Sequence, residues 1–249
     1  RTMNDHEAMG NRLQGRTVLC IGGSSGMGRG VAEAALAEGA TVIVTSRSAD
    51  KAHRVAEELG CSGEQVDLSS DVSVRQLFER VGPVTHMMIT AGAVGRSDFL
   101  NTPPAEAPRF MEGKLWGTHR CIWYGREVLE QQGSITLITG GYAQWATPDA
   151  AHVHMAFAAT EALARATAVA LAPIRCNVIR PGFVDSAMWD FLEPSDRSAL
   201  REKEKTQTLT GALVSPQDIG DVAVSLMTAR AVTGAIVPVD GGRHLKPES

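Results

Sequence analysis

Residues 17–46 read TVLCIGGSSGMGRGVAEAALAEGATVIVTS. The opening run, Thr17–Ile21, is apolar and partly β-branched, which predicts a buried strand. A glycine turn follows, Gly22-x-x-x-Gly26-x-Gly28, and from Met27 to Glu38 the apolar spacing predicts a helix that stops at Gly39. TVIVT (41–45) predicts a second strand. Strand, glycine turn, helix and strand together make the repeating unit of a parallel sheet, because parallel neighbours need a long crossover. Glycines let the backbone approach a ligand, and the first turn of the helix offers free N–H groups to an anion. Gly22, Ser24, Ser25, Gly26, Met27 and Gly28 are therefore candidates to cradle a pyrophosphate. Taken alone, the same glycines describe only a tight turn.

The rhythm continues along the chain. Further strands are predicted at 64–66, 86–90, 134–139, 174–179 and 235–239. Helices are predicted at 49–59 and 72–81, the latter halted by Gly82-Pro83, and near 105–130 and 150–171. Alternation of this kind predicts an α/β fold, a doubly wound parallel sheet with helices on both faces. No repeat, low-complexity tract or shift of composition divides residues 1–249, so one domain is expected. The polar stretch SDRSALREKEK (195–205) lies within a segment, 186–212, that breaks the rhythm. That segment reads as a lid or insertion beside a pocket, or as a plain solvated helix.

The net charge of −4 gives no attraction for nucleic acid or an anionic membrane, and the longest apolar runs are too short for a membrane span. Cys20, Cys61, Cys121 and Cys176 are scattered without metal or redox spacing, which suggests reduced thiols in a cytoplasmic protein. No His/Cys cluster suggests a metal. At the end of the second predicted strand an NAD site usually carries a carboxylate for the adenosine ribose. This chain has Ser46 and Arg47 there. A guanidinium fork attracts the 2′-phosphate that a carboxylate repels, so NADP(H) is expected over NAD(H). The plain alternative for Arg47 is a solvated surface side chain.

Several spaced motifs now coincide, and the chain resembles the short-chain dehydrogenase/reductase family over nearly its whole length. The family's Thr-Gly-x3-Gly-x-Gly is present with Ile21 in place of the threonine. Its adenine-bracketing Asp-Val is matched by Asp67-Leu68, and its Asn-Asn-Ala-Gly by Ile89-Thr90-Ala91-Gly92. RCNVIRPG (175–182) follows the family's Arg-Val-Asn-x-Val-x-Pro-Gly, Ser186 stands where a threonine holds the carboxamide, and Val-Asp-Gly-Gly closes at 239–242. The resemblance implies a single Rossmann domain with a seven-stranded sheet, a small-molecule substrate, and a homodimer or homotetramer. It adds Ala91, Gly92, Pro181, Gly182, Val184 and Ser186 to the expected cofactor contacts. Trp116, Trp123 and the Ala-rich 156–170 face offer apolar surface for the assembly.

The resemblance also implies a catalytic Asn-Ser-Tyr-Lys set, and there the chain departs from it. Ungapped alignment through 157–172 puts Val153 at the tyrosine's place and Phe157 at the lysine's. Gly140 takes the serine's place, and KLWG (114–117) puts Lys114 at the asparagine's. The expected function is NADP(H)-dependent hydride transfer with a non-standard site, acting on an apolar or activated small molecule. Candidate replacements are Tyr142, Thr139 and Lys114, and Asp149 is either a substrate contact or the cap of the next helix. His152 and His154 are expected at the surface or an interface. Trp145, Trp189, Met155 and Phe157 suggest an aromatic-lined pocket. Two other readings stay open: a non-redox isomerase or cyclase, and a silent nucleotide-binding protein.

Overall fold

In the computed structural model, which describes residues 11–92, 95, 98–186 and 189–246, strand β1 (Thr17–Ile21) shows how the layers arise. Successive side chains of a strand point to opposite faces. Val18 and Cys20 join one hydrophobic core and Leu19 and Ile21 another, all four fully buried. The first core is covered by α1 (Gly26–Ala37), α2 (Ala49–Leu59) and α8 (Pro216–Thr228). The second is covered by α3 (Asp71–Val81), α5 (Gly117–Gly125) and α6 (Ala151–Ala170).

Between these layers lie β1, β2 (Thr41–Ser46), β3 (Ser62–Gln65), β4 (Val84–Ile89), β5 (Leu129–Ile138), β6 (Arg175–Pro181) and β7 (Ile236–Val239). Every pairing is parallel, in the order β3-β2-β1-β4-β5-β6-β7. The doubly wound sheet expected from the sequence is thus the observed one. The order reverses direction at β1 and β4, which opens a crevice at the carboxyl ends of these two strands.

Three elements differ from expectation. The helix predicted near 105–130 is a short α4 (Arg109–Met111), a π-helical turn (Glu112–Trp116) and α5, and it ends at Gly125. Leu129–Gly133 are strand, because Val84 pairs with Leu129 and extends β5 backwards. Helix α8 carries an N-terminal signal that the rhythm of strands obscured: Ser215 and Asp218 form a capping box and Pro216 opens the first turn. The carboxyl end of α8 explains the RCN of the RCNVIRPG run. Arg175 donates to the carbonyls of Leu226 and Met227, both at 2.6 Å, and Asn177 donates to Val232 at 2.9 Å. A guanidinium at the carbonyl end satisfies groups that no helix can satisfy itself.

The lower half of the sheet holds a buried histidine. His86 and Ser134 face each other across β4 and β5, with His86 Nδ1 2.8 Å from Ser134 Oγ. Burial drives the imidazole pKa down to about 4, with the charges of Arg175 and Arg16 acting in the same direction. The unfolded chain binds this proton near pH ~6.5, the folded chain only near 4. Stability from this group is therefore complete above about pH 6.5 and is lost as the pH falls towards about 4, by up to about 3 kcal/mol. Denaturant titrations across that window should show a shallower pH dependence for His86→Gln than for the wild type.

Candidate active site

The crevice begins with the glycine turn. Gly22 has φ +88°, and a β-carbon there would lie 2.7 Å from Thr90 Oγ1. A β-carbon on Gly28 would lie 2.2 Å from the carbonyl oxygen of Gly22. The turn and the first turn of α1 are therefore in direct backbone contact, which no other residue type permits. Thr90, in the place of the family's asparagine, donates its hydroxyl to the Ile21 and Gly22 carbonyls at 3.1 Å each. From the other side Thr45 Oγ1 accepts from the Gly22 amide at 3.1 Å. Ser25 is the N-cap of α1 and makes no side-chain bond to the helix. The first-turn amides are thus left for an outside acceptor, and an anion at this helix end is favoured by the dipole as well. Ser24 is buried and Ser25 exposed beside it. A methyl group on Gly26 would sit 3.8 Å from Ser186 Oγ, so the far end of the expected cofactor run meets the cradle.

The residues expected at an adenosine end lie along the ends of β2 and β3. Ser46 ends β2 half-buried and Arg47 is exposed just beyond it. The Arg47 carbonyl accepts from Gln65 Nε2 at 2.9 Å, which ties this corner to β3. Asp67 accepts from the Ser69 amide and hydroxyl at 3.0 and 2.7 Å. Those bonds, with a smaller effect from the Arg47 charge, hold its carboxyl below the usual range. Leu68 is buried in the second core, and its carbonyl accepts from Arg120 at 3.1 Å. Gly182 donates its amide to Val239 at 3.0 Å, and Val184 bridges to Val214. Pro181 is buried at the end of β6, while Ala91 and Gly92 are half-buried beyond β4. A helix N-terminus without a side-chain cap bond and a glycine floor suit the pyrophosphate of a dinucleotide.

Facing the cradle, α6 presents Val153, Phe157 and Glu161 at four-residue intervals, one above another. Val153 is buried. The Phe157 ring lies against Gly140: a β-carbon there would be 2.8 Å from Phe157 Cε2. Lys114, on the π-helical turn, is 2 % exposed. Its Nζ donates to the Ala91 carbonyl at 3.4 Å and lies 6.0 Å from the Phe157 ring centroid. Burial pulls the ammonium pKa down to about 8. Glu112, two residues earlier, is paired with Arg120 at 2.7 Å and does not serve Lys114.

Sequence reasoning missed the network next to these groups. Glu161, 5 % exposed, accepts from Thr139 Oγ1 at 3.1 Å and from Arg180 at 2.8 and 2.7 Å. Arg180 also donates to Gln144 Oε1 at 3.1 Å. A hydroxyl has one proton to give, and in this structure Thr139 gives it to Glu161. The signal was present as a glutamate on the apolar face of α6, four residues after Phe157.

Tyr142 is half-buried on the 3-10 turn Gly141–Ala143 that follows β5. Its carbonyl lies 2.8 Å from His154 Nδ1 and can only accept, so that ring nitrogen carries the proton. His152 is not at the surface as expected: it is 3 % exposed and stacks on Phe110 with centroids 4.9 Å apart. The ring turns inward because residue 152 sits on the buried side of the first turn of α6. The N-cap of α6 is Ala150, with no side-chain cap bond. Asp149 stands one residue earlier and accepts from Thr147 at 2.8 Å, so the expected cap is not made by it. Trp189 stacks on Phe183 at 4.9 Å and donates to the Val184 carbonyl at 3.0 Å. The Arg243 guanidinium lies 5.8 Å from the Trp145 ring.

Within the segment 186–212, residues 187 and 188 lie outside the described residues. Helix α7 (Pro194–Gln207) has no buried residue. Ion pairs hold it: Arg201 to Asp185 at 2.7 Å, Arg197 to Asp190, and Glu204 to Arg243. Among the described residues no group of three or more His, Cys, Asp or Glu could hold a metal, and no helix is long and apolar enough to cross a membrane.

A family profile described as enoyl-(acyl carrier protein) reductase matches residues 21–244. The chain belongs to the short-chain dehydrogenase/reductase family, an oxidoreductase family that uses NAD(P)(H). It is 29 % identical over 257 residues to the short-chain dehydrogenase/reductase ATR9 of Stachybotrys chlorohalonatus, covering 94 % of this chain and 99 % of that one. It is 27 % identical to the 3-oxoacyl-[acyl-carrier-protein] reductase FabG of Aquifex aeolicus, covering 93 % and 98 %. Among solved structures, a small-chain dehydrogenase in complex with NADPH is similar, with TM-score 0.80, 27 % identity and coverage of 93 % and 99 %. The MalC reductase/Diels-Alderase of Malbranchea aurantiaca shares the fold, with TM-score 0.87, 22 % identity and coverage of 95 % and 99 %.

The contact of Phe157 with Gly140 gives a direct test of how far the site has been repacked. Gly140→Ser should destabilise the protein by about 1–3 kcal/mol, because the ring must move. Combining it with Phe157→Ala should cost less than the two single losses added together, measured by denaturant unfolding.

Proposed function

We propose that this protein is an NADP(H)-dependent oxidoreductase whose proton-handling groups differ from those of its family, and which acts on an apolar, activated small molecule. The observation that carries the reading is the juxtaposition of Phe157, packed on Gly140, with the buried ammonium of Lys114 beside Ala91. It supports an aromatic wall and a relocated cation where the family keeps a hydroxyl and a lysine. The nucleotide would be held by the turn Gly22–Gly28, by Ser46 and Arg47 at the 2′-phosphate, by Asp67 and Leu68 at adenine, and by Ala91, Gly92, Pro181, Gly182, Val184 and Ser186 at the other end. Bound there, it supplies the hydride chemistry, and the protein supplies alignment.

Magnitudes favour activity without the family's tyrosine. A positioned general acid contributes ~10²–10⁴ in rate, whereas holding the reacting partners together is worth roughly 7–11 kcal/mol. A site with alignment alone thus suits acceptors that need no proton as the hydride arrives. Thr139 donates to Glu161, and Tyr142 and Lys114 are the groups proposed to assist. Asp149 stands on the loop before α6, at the same mouth, where it can meet a substrate. Segment 186–212 fits a lid: α7 is held by charge pairs rather than by apolar packing, so it moves at small cost. Exposed Trp116 and Trp123 on one helix, and Met155 and Val169 on α6, support a homodimer or homotetramer built on these helices.

Three outcomes follow. Fluorescence titration should show tighter binding of NADPH than NADH, and Arg47→Ala should remove most of the difference; equal affinities in the wild type would reverse the cofactor assignment. In a panel of simple ketones and activated acceptors with NADPH, the simple ketones should turn over poorly, and Tyr142→Phe should slow the productive reactions with unchanged NADPH affinity. Light scattering at micromolar concentration should give a dimer or tetramer, and a monomer would exclude the assembly.

A further inference from the structure

The buried charges of this protein are not satisfied equally. Glu38 accepts from Arg12 at 3.1, 2.8 and 2.5 Å, and Glu161 accepts three bonds of 3.1 Å or less. Asp240 accepts from the Gly242 and His244 amides at 2.9 and 3.0 Å and meets His244 Nδ1 at 2.8 Å. Arg175 donates twice at 2.6 Å. Lys114 is the exception among the described residues: it is 2 % exposed, has no carboxylate partner, and makes a single bond of 3.4 Å. An ammonium has three protons to donate. Burying one that is under-bonded is costly, and removing it would ordinarily stabilise a fold. A protein keeps such a group where a ligand completes it.

The surroundings specify the ligand. Ala91, whose carbonyl takes the one bond, ends the run that leaves β4 beside the glycine cradle. Phe157 stands 6.0 Å from the ammonium and offers a flat apolar wall. What completes this pair is an oxygen carrying negative charge, attached to a planar conjugated system.

We propose that Lys114 seats the oxygen of a conjugated carbonyl substrate, an enone or quinone-like acceptor, and that its charge excludes cationic acceptors such as iminium ions. The inference rests on the oxidoreductase reading above and narrows it. When such a carbonyl accepts a hydride pair from a dihydronicotinamide at its β-carbon, the carbon–carbon π pair shifts towards the carbonyl carbon. The carbonyl π pair then passes to oxygen, giving an enolate. The enolate oxygen rests on the ammonium until a proton from water reaches the α-carbon and the carbonyl is restored. A cationic acceptor placed at the same distance meets like-charge repulsion in a poorly screened site.

A nitrophenol serves as a stable, coloured stand-in for the conjugated oxyanion. Its absorbance is read with the full-length protein, with and without NADP+, at a pH where the free compound is mostly neutral. The wild type should bind it in the phenolate form, and a pyridinium cation of similar size should not bind. Lys114→Met should lose the phenolate band and bind about ten- to a hundred-fold more weakly. The same variant should melt at a higher temperature than the wild type, since a desolvated charge has gone. Lys114→Gln, which keeps a donor without the charge, should behave like Lys114→Met towards the probe. Phenolate binding unchanged in either variant, or absent from the wild type, overturns the proposal. So does a lower melting temperature for Lys114→Met, which would make the amine a structural strut. A loss of NADP+ affinity with intact phenolate binding also overturns it and assigns the ammonium to the cofactor. Failure of the wild type to bind NADPH counts instead against the oxidoreductase reading, while the probe in nucleotide-free protein still decides the role of Lys114.

Discussion

One hydroxyl proton, shared between two carbonyls, holds the working end of this molecule together. Thr90 Oγ1 reaches the carbonyls of Ile21 and Gly22, tying the end of β4 to the turn that leaves β1. β1 and β4 are sheet neighbours whose following connections diverge, so a crevice is unavoidable between them. The threonine sets how wide that crevice is. It also accounts for the glycine at 22, since a β-carbon would fall 2.7 Å from the same oxygen. Any ligand that reaches the cradle is bounded on its other side by Ala91, whose own amide is held by Ile21 at 3.2 Å.

On that frame Gly140, Phe157 and Lys114 lie close together. Gly140 has room for no side chain because Phe157 occupies the space, and Phe157 in turn is the surface that Lys114 faces. Glu161 links the end of β5 through Thr139, the end of β6 through Arg180, and through Arg180 the turn that carries Tyr142 and Gln144. Such a network is worth most when every member is satisfied, and here each carboxylate oxygen has a donor.

Much of this was legible in the residues. The run from Thr17 to Ser46 contains its own strand, turn, helix and strand, because apolar spacing and glycine placement act over a few residues. Helix α6 was legible for the same reason, and the alignment through it drew attention to Val153 and Phe157 before any contact was visible. The backward extension of β5 was not, because Leu129–Gly133 becomes strand only by pairing with β4, a partner some forty positions away. The inward turn of His152 was hidden as well, since nothing local announces that Phe110 will stack on it. Helix α8 is marked in the sequence by Ser215, Pro216 and Asp218, a cap signal that acts over four residues.

The sequence by itself determined the layer order, the glycine turn, the arginine that follows β2 and the valine and phenylalanine one turn apart on α6. Each of these rests on residue type and short spacing, which are properties of the chain before it folds. The tertiary structure alone decided what stands in the vacated space. Ala91 and Lys114 lie in the crossover from β4 to β5, Gly140 and Phe157 in the crossover from β5 to β6, and only the closing of the parallel sheet puts the two pairs side by side. The same closure removes water from Lys114 and leaves its ammonium, which the sequence offers only as a candidate replacement, with one long bond.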